Sequence, residues 1–231
     1  MATPQIFLLS TQTLSAGVIE AAALAGVRLD AMPFIRTEPL HVTEVPDSAI
    51  TALFTSQHAV AALPHAGGKW KIFCIDGATR RAVEDRFGAG LIAGTASSAA
   101  GLARVILDSE PQERSAVGSG KKLVFFCGDL RREELPELLR QAGYTVEERI
   151  VYRTLLTPHR VEQEYAGIAF FSPSAAESFF SMNTVKDTTE FFAIGRTTAA
   201  AVRRLSGRDA IVAGKPDKEV LIHEMITHFT I

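Results

Sequence analysis

The chain has 231 residues, of which 47% are hydrophobic and 22% are charged, and its formal net charge is −2. That length accommodates one large or two small domains, and the composition is ordinary for a globular protein. The charge balance provides no extended positive field for nucleic acid or an anionic membrane, so an anionic ligand would have to be held by local groups.

Membrane, metal and disulfide signals are also missing from the sequence. No apolar run reaches the roughly 18 residues that a membrane span requires, and no signal peptide is evident, so we expect a cytoplasmic protein. Cys74 and Cys127 each end an apolar run, which favours two reduced thiols in the core. The six histidines lack zinc-like spacing, so neither a metal site nor another cofactor is predicted.

Short apolar runs alternate with helical patterns along the chain, which predicts βαβ units and hence an α/β fold with parallel sheets. The predicted strands are Ile6–Leu9, Leu53–Thr55, Lys71–Ile75, Leu91–Ala93, Leu123–Cys127, Ile168–Phe171, Phe191–Ile194 and Ala210–Ala213. The predicted helices are Leu14–Ala25, Ala59–Leu63, Thr79–Phe87, Ser98–Leu107, Glu133–Ala142, Ser174–Ser181, Thr197–Leu205 and Lys218–Phe229.

Three further segments differ from this pattern. Arg28–Leu40 and Thr145–Leu156 are extended and partly polar, and we interpret them as long strands that run from one sheet to another body. Pro33 and Pro39 exclude the first from a central strand position but permit an edge or a linker. Asp108–Lys122 is polar and is predicted to be a loop.

The chain also repeats itself at an offset of about 117 to 120 residues. Ile35-Arg36-Thr37 returns as Tyr152-Arg153-Thr154, and Phe54-Thr55-Ser56 returns as Phe170-Phe171-Ser172. A period this long does not fit a solenoid, whose repeats recur every 20 to 50 residues. It indicates a duplicated α/β half, and we expect the function in the cleft that two such halves create.

Several segments together resemble the uroporphyrinogen-III synthase family. The strongest is Lys122–Thr154, with Gly-Asp-x-x-Arg after a strand, Leu-Pro-x-x-Leu in a helix and then Ala-Gly-Tyr-x-Val. LFTSQHAVAAL from Leu53, AFFSPS from Ala169 and AIGRTTAA from Ala193 are similar to three other family motifs. The chain departs from the family pattern at Ser10-Thr11, where Arg-Pro is frequent, and at Asp76, where glycine is usual.

The resemblance implies two flavodoxin-like parallel-sheet domains, one inserted in the other and joined by a two-stranded antiparallel linker. The first domain would comprise residues 1–35 and 156–231, and the inserted second domain residues 41–150. The linkers would be about 36–40 and 151–155. The predicted loop Asp108–Lys122 would then lie inside the second domain rather than between domains.

The activity implied by the resemblance is cyclisation of hydroxymethylbilane, a linear tetrapyrrole, with inversion of its last ring and loss of water. The partners implied are this substrate and the upstream enzyme that forms it, and the family suggests a monomer. Tyr152 is the predicted catalytic residue, as a proton donor to the departing hydroxyl. The alternative for Tyr152 is an aromatic side chain that only packs on the linker.

Other predicted contacts lie at strand-to-helix turns, where unpaired N–H groups bind anions. The predicted substrate-binding residues are Ser56, Gln57, Gly77, Thr79, Gly128, Asp129, Ser172, Ser174, Arg196, Thr197 and Thr198. The hydroxyl residues have an alternative role as helix caps, and the glycines and Asp129 as turn residues. A non-catalytic two-domain protein that closes on a small anion is the competing function. A P-loop, a dinucleotide-binding G-x-G-x-x-G and a G-x-S-x-G nucleophile motif are all absent from the sequence.

Overall fold

The computed structural model describes residues 6–42, 45, 48–66, 68–109 and 121–230. Most of the predicted loop Asp108–Lys122, namely residues 110–120, lies outside the described residues. Within the described ranges, no helix is both long and apolar enough to cross a membrane.

Strands and helices alternate through most of the chain. The strands are β1 Ile6–Ser10, β2 Val27–Ala31, β3 Ile35–Pro39, β4 Thr51–Phe54, β5 Lys71–Ile75, β6 Ile92–Ala96, β7 Lys122–Gly128, β8 Thr145–Leu156, β9 Gly167–Phe170, β10 Glu190–Ala193 and β11 Ile211–Val212. The helices are α1 Ala16–Leu24, α2 Gln57–Ala62, α3 Ala78–Phe87, α4 Ala99–Ser109, α5 Glu134–Gln141, α6 Pro173–Phe180, α7 Arg196–Ser206 and α8 Lys218–Thr230, with a short 3-10 turn at Ala89–Leu91.

The chain divides into two compact units. Unit 1 comprises Met1–Arg36 and Leu155–Ile231, and unit 2 comprises Thr37–Thr154. The sheet of unit 1 has the order β11-β10-β9-β1-β2, and every adjacent pair in it is parallel. The other sheet has the order β3-β8-β7-β4-β5-β6, and its strands from β8 to β6 are parallel.

The two sheets share one topology. Read outward from the second strand, unit 1 has the order β2-β1-β9-β10-β11 and unit 2 has β8-β7-β4-β5-β6. Numbered in chain order within each unit, unit 1 is 2-1-3-4-5, the order of flavodoxin-like folds, and unit 2 is 5-4-1-2-3, which is the same order circularly permuted. The predicted fold class is confirmed. Each unit takes its strands from both halves of the duplicated sequence, because β1 lies between β2 and β9, whereas β7 lies between β8 and β4.

Each sheet is covered on both faces by an apolar core. In unit 2, one face packs Phe54, Phe126 and Trp70 together with α2, and the other packs Phe125 and Leu139 together with α4 and α5. The same arrangement in unit 1 forms two further clusters. Cys74 and Cys127 are buried free thiols in these layers, as predicted.

The prediction of one continuous extended segment over Arg28–Leu40 is wrong. The chain forms β2, then leaves the strand at Met32–Phe34, and then forms β3. Pro33 lacks the N–H that a continuing ladder needs. Phe34 is fully buried and its ring stacks on that of His159 at 4.0 Å, which holds the break in place.

The second extended segment is confirmed, since β8 covers Thr145–Leu156. Its last part runs antiparallel to β3. The N–H of Leu40 donates to the carbonyl of Val151 at 2.8 Å, and the N–H of Thr157 donates to the carbonyl of Phe34 at 2.9 Å. The residue numbers of the bonded partners rise along one strand and fall along the other, which is the pattern of an antiparallel pair.

Candidate functional site

Four predicted site residues lie together in unit 2, where β4, β7 and β8 end. Ser56 precedes α2, Gly128 is the last residue of β7, Asp129 follows it, and Tyr152 lies on β8. The carboxyl ends of parallel strands are the usual ligand-binding edge of an open α/β sheet. We call this group the Tyr152 cluster.

A β-bulge sets the direction of the Tyr152 side chain. Cys127 pairs with Ile150, but the next residue, Gly128, pairs with Tyr152, so Val151 is the extra residue. In a regular strand Val151 and Tyr152 would point to opposite faces. The bulge instead places both against the core layer that contains Phe54 and α2.

The phenol of Tyr152 fills the space that Gly128 leaves open. A Cβ atom at Gly128 would lie 2.4 Å from the Cζ atom of Tyr152 and 2.8 Å from its hydroxyl oxygen. Gly128 is therefore required by the close approach of the ring, and any larger residue displaces Tyr152. The sequence interpretation of Gly128 as a turn residue missed this reason.

The side chain of Ser56 acts on the pKa of the Tyr152 hydroxyl. Burial raises the pKa of Tyr152, Cys127 and Asp129 raise it further through their charges, and Ser56 opposes them in part. The phenol therefore keeps its proton well beyond neutral pH. Ser56 also caps α2, since its Oγ accepts the N–H of His58 at 3.2 Å.

Asp129 bonds the backbone that directly follows Tyr152. Its carboxylate accepts the N–H of Thr154 at 3.0 Å, and its own N–H donates to the carbonyl of Tyr152 at 3.2 Å. A carboxylate that accepts a backbone N–H forms a charge-assisted hydrogen bond.

His58 also belongs to the Tyr152 cluster, although it was not among the residues predicted to bind substrate. Its ring centroid lies 5.7 Å from that of Tyr152, with the planes tilted by 52°, and its Nδ1 atom lies 3.3 Å from the Thr37 hydroxyl. Much of the His58 side chain is exposed to solvent, but partial burial of its ring lowers its pKa, which favours the neutral imidazole near pH 7. The sequence signal was too weak to find it, because a single histidine after a strand has no characteristic spacing.

The remaining predicted residues of unit 2 lie at neighbouring turns. Gln57 is exposed at the start of α2. Gly77 has φ of +83° and precedes α3, which has no side-chain cap, so glycine suits this turn. Thr79 is buried, with 6% of its surface exposed. Asp76 is exposed and lies 3.9 Å from Arg80.

Unit 1 has a corresponding set of turns after β9 and β10. Ser172 caps α6, because its Oγ accepts the N–H of Ala175 at 3.1 Å and shares a hydrogen bond of 3.0 Å with Ser174. Helix α7 begins after Gly195 without a side-chain cap. At its start, Arg196 and Thr197 are exposed, whereas Thr198 is buried.

Ser10 and Thr11, which replace the frequent Arg-Pro, are buried and bonded within unit 1. The Ser10 hydroxyl donates to the Gln12 carbonyl at 2.7 Å, and the Thr11 hydroxyl donates to the Ala169 carbonyl at 2.8 Å. The Thr11 bond ties the end of β1 to β9. This departure from the family pattern therefore has a structural role.

The cluster has the chemistry of a proton donor beside an anion-binding edge. Tyr152 carries a retained proton, and the adjacent helix starts offer N–H groups. Across the described ranges, no group of three or more His, Cys, Asp or Glu side chains is placed to hold a metal ion.

The fold is that of proteins built from two doubly wound α/β units. Among solved structures, uroporphyrinogen-III synthetase from Helicobacter pylori 26695 matches with a TM-score of 0.61 and 15% identity, over 96% of this chain and 99% of that chain. A mutant uroporphyrinogen III synthase from the extremely thermophilic bacterium Thermus thermophilus matches with a TM-score of 0.59 and 19% identity, over 96% of this chain and 98% of that chain. A search of curated proteins finds no match.

The family model described as uroporphyrinogen-III synthase HemD matches residues 18–223. The chain therefore belongs to the uroporphyrinogen-III synthase family, and the predicted resemblance is confirmed.

Proposed function

We propose that this protein closes hydroxymethylbilane to uroporphyrinogen III as a cyclising hydro-lyase of haem biosynthesis. The match of the family model to residues 18–223 supports the reaction. The observation that carries the residue assignment is the Tyr152 phenol, which packs directly against Gly128 at the carboxyl edge of unit 2.

Ring closure begins with loss of the terminal hydroxyl group of the substrate. The phenol of Tyr152 donates its proton to that hydroxyl, the carbon–oxygen bond breaks, and water leaves. The resulting azafulvenium cation is attacked by the last pyrrole ring at its substituted carbon, which gives a spiro intermediate. Fragmentation and re-closure invert this ring, and the proton lost when the ring regains aromaticity restores the phenol.

The acid role suits the environment of Tyr152. The hydroxyl carries a proton at neutral pH, since burial raises its pKa above the ordinary value of about 10, and it is therefore a weak acid whose effect depends on being oriented towards the departing hydroxyl. The pyrrole rings supply the nucleophilicity themselves, so the protein mainly has to fold the substrate and orient its last ring. Such positioning can contribute about 7–11 kcal/mol to the lowering of a barrier.

The acetate and propionate arms of the substrate are assigned to the strand-to-helix turns of each unit. In unit 2 the assigned residues are Ser56, Gln57, Gly77, Gly128 and Asp129. In unit 1 they are Ser172, Ser174, Arg196 and Thr197. Thr79 and Thr198 have buried side chains and would contribute through the backbone N–H groups of the same turns.

Units 1 and 2 are proposed as the two domains expected from the sequence, with bounds near 1–35 plus 156–231 and 41–150. A cytoplasmic location, a monomeric state and an encounter with the upstream hydroxymethylbilane-forming enzyme also remain predictions.

The deciding experiment supplies purified protein with freshly generated hydroxymethylbilane and separates the type I and type III isomers of the product. Spontaneous closure yields type I, so we expect type III only when the protein is present. A product mixture equal to that of buffer would reject the proposal. Tight binding of the substrate without type III formation would favour the non-catalytic anion-binding protein instead.

The assignment of Tyr152 is tested by Tyr152→Phe. We expect turnover to fall by roughly 100-fold or more, since general acid catalysis is lost, with a nearly unchanged Tm. Full activity in this variant would show that Tyr152 is not the acid, but it would not contradict the proposed reaction.

A further inference from the structure

Three groups, one at the end of β7 and two at the start of α2, surround the Tyr152 phenol. Gly128, at the end of β7, leaves the space that the ring occupies. Ser56, the N-cap residue of α2, acts on the pKa of the hydroxyl. The third group is the imidazole of His58, on the first turn of α2, whose ring centroid lies 5.7 Å from that of Tyr152.

His58 is itself held in place from two directions. Its backbone N–H donates to Ser56 Oγ at 3.2 Å, which fixes its main chain at the start of α2. Its Nδ1 atom lies 3.3 Å from the hydroxyl of Thr37 on β3, the strand next to β8 in the sheet. The side chain is thereby restrained at both ends.

We propose that His58 is a positioning residue that holds the Tyr152 phenol in the orientation from which it donates its proton. The contact of the two rings limits rotation of the phenol away from Gly128, and the Thr37 hydroxyl limits movement of the imidazole. His58 acts through Tyr152 and not on the substrate. This inference rests on the proposed function of Tyr152 as the acid.

The imidazole suits this role because it is a flat ring whose neutral form is favoured near pH 7, since partial burial lowers its pKa. The orientation of a reacting group matters strongly, since a misplacement of about 1 Å can cost on the order of 100-fold in rate. A ring that confines the phenol therefore has a measurable effect without touching the reacting atoms.

A double-mutant cycle distinguishes this role from a general structural one. We expect His58→Ala to lower kcat roughly tenfold in the wild-type background, with little change in KM. In the Tyr152→Phe background, where no phenolic proton remains to be oriented, the same substitution should lower kcat less than about twofold. An equal reduction in both backgrounds would overturn the proposal.

Two conservative variants separate the effect of the His58 ring from the effect of its hydrogen bond to Thr37. His58→Phe keeps an aromatic ring beside Tyr152 and should retain most of the rate. Thr37→Val removes only the hydroxyl that restrains the imidazole, and it should lower kcat by a smaller factor than His58→Ala. A His58→Phe variant as slow as His58→Ala contradicts positioning by ring contact.

A spectroscopic measurement tests the same inference without activity. The chain has three tyrosines, so ¹³C labelling at Cζ gives a simple spectrum in which Tyr152→Phe identifies the Tyr152 signal. With His58→Ala, the phenol gains access to water and its pKa should move down towards the ordinary value of about 10. Asp129 and Cys127, whose charges also act on Tyr152, are unchanged in this variant.

The activity assay and the titration of Tyr152 test the two proposals independently. If no type III product forms with the wild-type protein, the proposed function fails, but the titration of Tyr152 still tests the positioning. An unchanged titration in folded His58→Ala overturns the positioning role, whatever the activity. His65→Ala is the matched control, because His65 is an exposed histidine in the connection after α2, and it should leave both readouts unchanged.

Discussion

The carboxylate of Asp129 accepts the N–H of Thr154 at 3.0 Å and so connects the end of β7 to the part of β8 that follows Tyr152. The reverse contact, from the Asp129 N–H to the Tyr152 carbonyl, completes a pair of bonds around one residue. Asp129 therefore adds two hydrogen bonds to the backbone that follows the proposed acid.

Replacement of Asp129 by alanine should destabilise unit 2 and lower activity together. Loss of a hydrogen bond to a charged group costs about 1.5–3 kcal/mol, and the N–H of Thr154 is left without its acceptor. Urea denaturation of Asp129→Ala measures the free energy of unfolding. Asp129→Asn keeps an oxygen acceptor and should lose less than half as much, whereas equal losses would show that the hydrogen bond is not the cause.

The substitution Gly128→Ala should displace the Tyr152 ring, because the new Cβ would lie 2.4 Å from Cζ. Overpacking of this kind costs roughly 1–3 kcal/mol, and turnover should fall to the level of Tyr152→Phe. The control is Gly17→Ala in α1, where no atom lies within 4 Å of the new methyl group. There we expect a gain of about 0.5–1 kcal/mol and unchanged turnover, since alanine is the better helix former. Normal turnover in Gly128→Ala would contradict the close approach.

Glu148 on β8 should contribute to stability mainly above acidic pH. It pairs with Arg131 and Arg140, and its side chain is only 14% exposed. Burial alone would raise its pKa, but the hydrogen bonds from Arg140 and Arg131 outweigh this and lower it below the ordinary value. Glu148→Gln should therefore cost about 1–3 kcal/mol near neutral pH.

The sign of the pH dependence follows from that lowered pKa. The stabilisation is present above the unfolded-state pKa of about 4.5 and is lost as the pH falls through the lower folded-state value. The difference in the free energy of unfolding between the wild-type protein and Glu148→Gln should therefore become smaller at acidic pH. Glu164→Gln is the control, because Glu164 and its partner Lys186 are 68% and 63% exposed, and such pairs contribute less than about 1 kcal/mol. A pH-independent difference would contradict this account.

The two buried thiols should make the protein less stable in alkali. Burial raises the pKa of Cys74 to about 11 and that of Cys127 to about 12. Each thiol stabilises the fold fully below its unfolded-state pKa of about 8.5, and this contribution is lost as the pH rises towards the folded-state values. Within that window the loss is at most about 1.4 kcal/mol per pH unit for each thiol.

Urea denaturation between pH 8 and pH 11 measures the alkaline loss. The double variant Cys74→Ala with Cys127→Ala should show a shallower decline, although it will be less stable at pH 8 because of the cavities it creates. An equally steep decline in both proteins would assign the alkaline loss to the tyrosines. Tyr152 and Tyr165 both have raised pKa values and remain in the variant.

The regular parts of the fold were predictable because their signals are local. Apolar runs identified most strands, and the range predicted for β8 is the range found. Glycines after helices, such as Gly26, Gly143 and Gly207, have positive φ, which explains why they ended the predicted helices. Pro33 was recognised as unsuitable for a central strand, but its effect was a complete break that also depends on the burial of Phe34.

The candidate site was less predictable because its geometry depends on pairing between distant strands. The bulge at Val151 is visible only once β7 and β8 are aligned, and it alone puts Tyr152 on the same face as α2. The role of Gly128 follows from that ring and not from a turn. His58 has neighbours on β3 and β8, which no short motif around it reveals.

The exchange of strands between the two sequence halves also governs the order in which the protein can fold during synthesis. Unit 2 is one continuous stretch, Thr37–Thr154, so its strands are all synthesised before β9. Strand β1 can pair early with β2, yet it must wait for β9, and the Thr11 bond to Ala169 spans 158 residues. One edge of the nascent β1 therefore stays without its partner, and within reach of chaperones, until β9 has been synthesised.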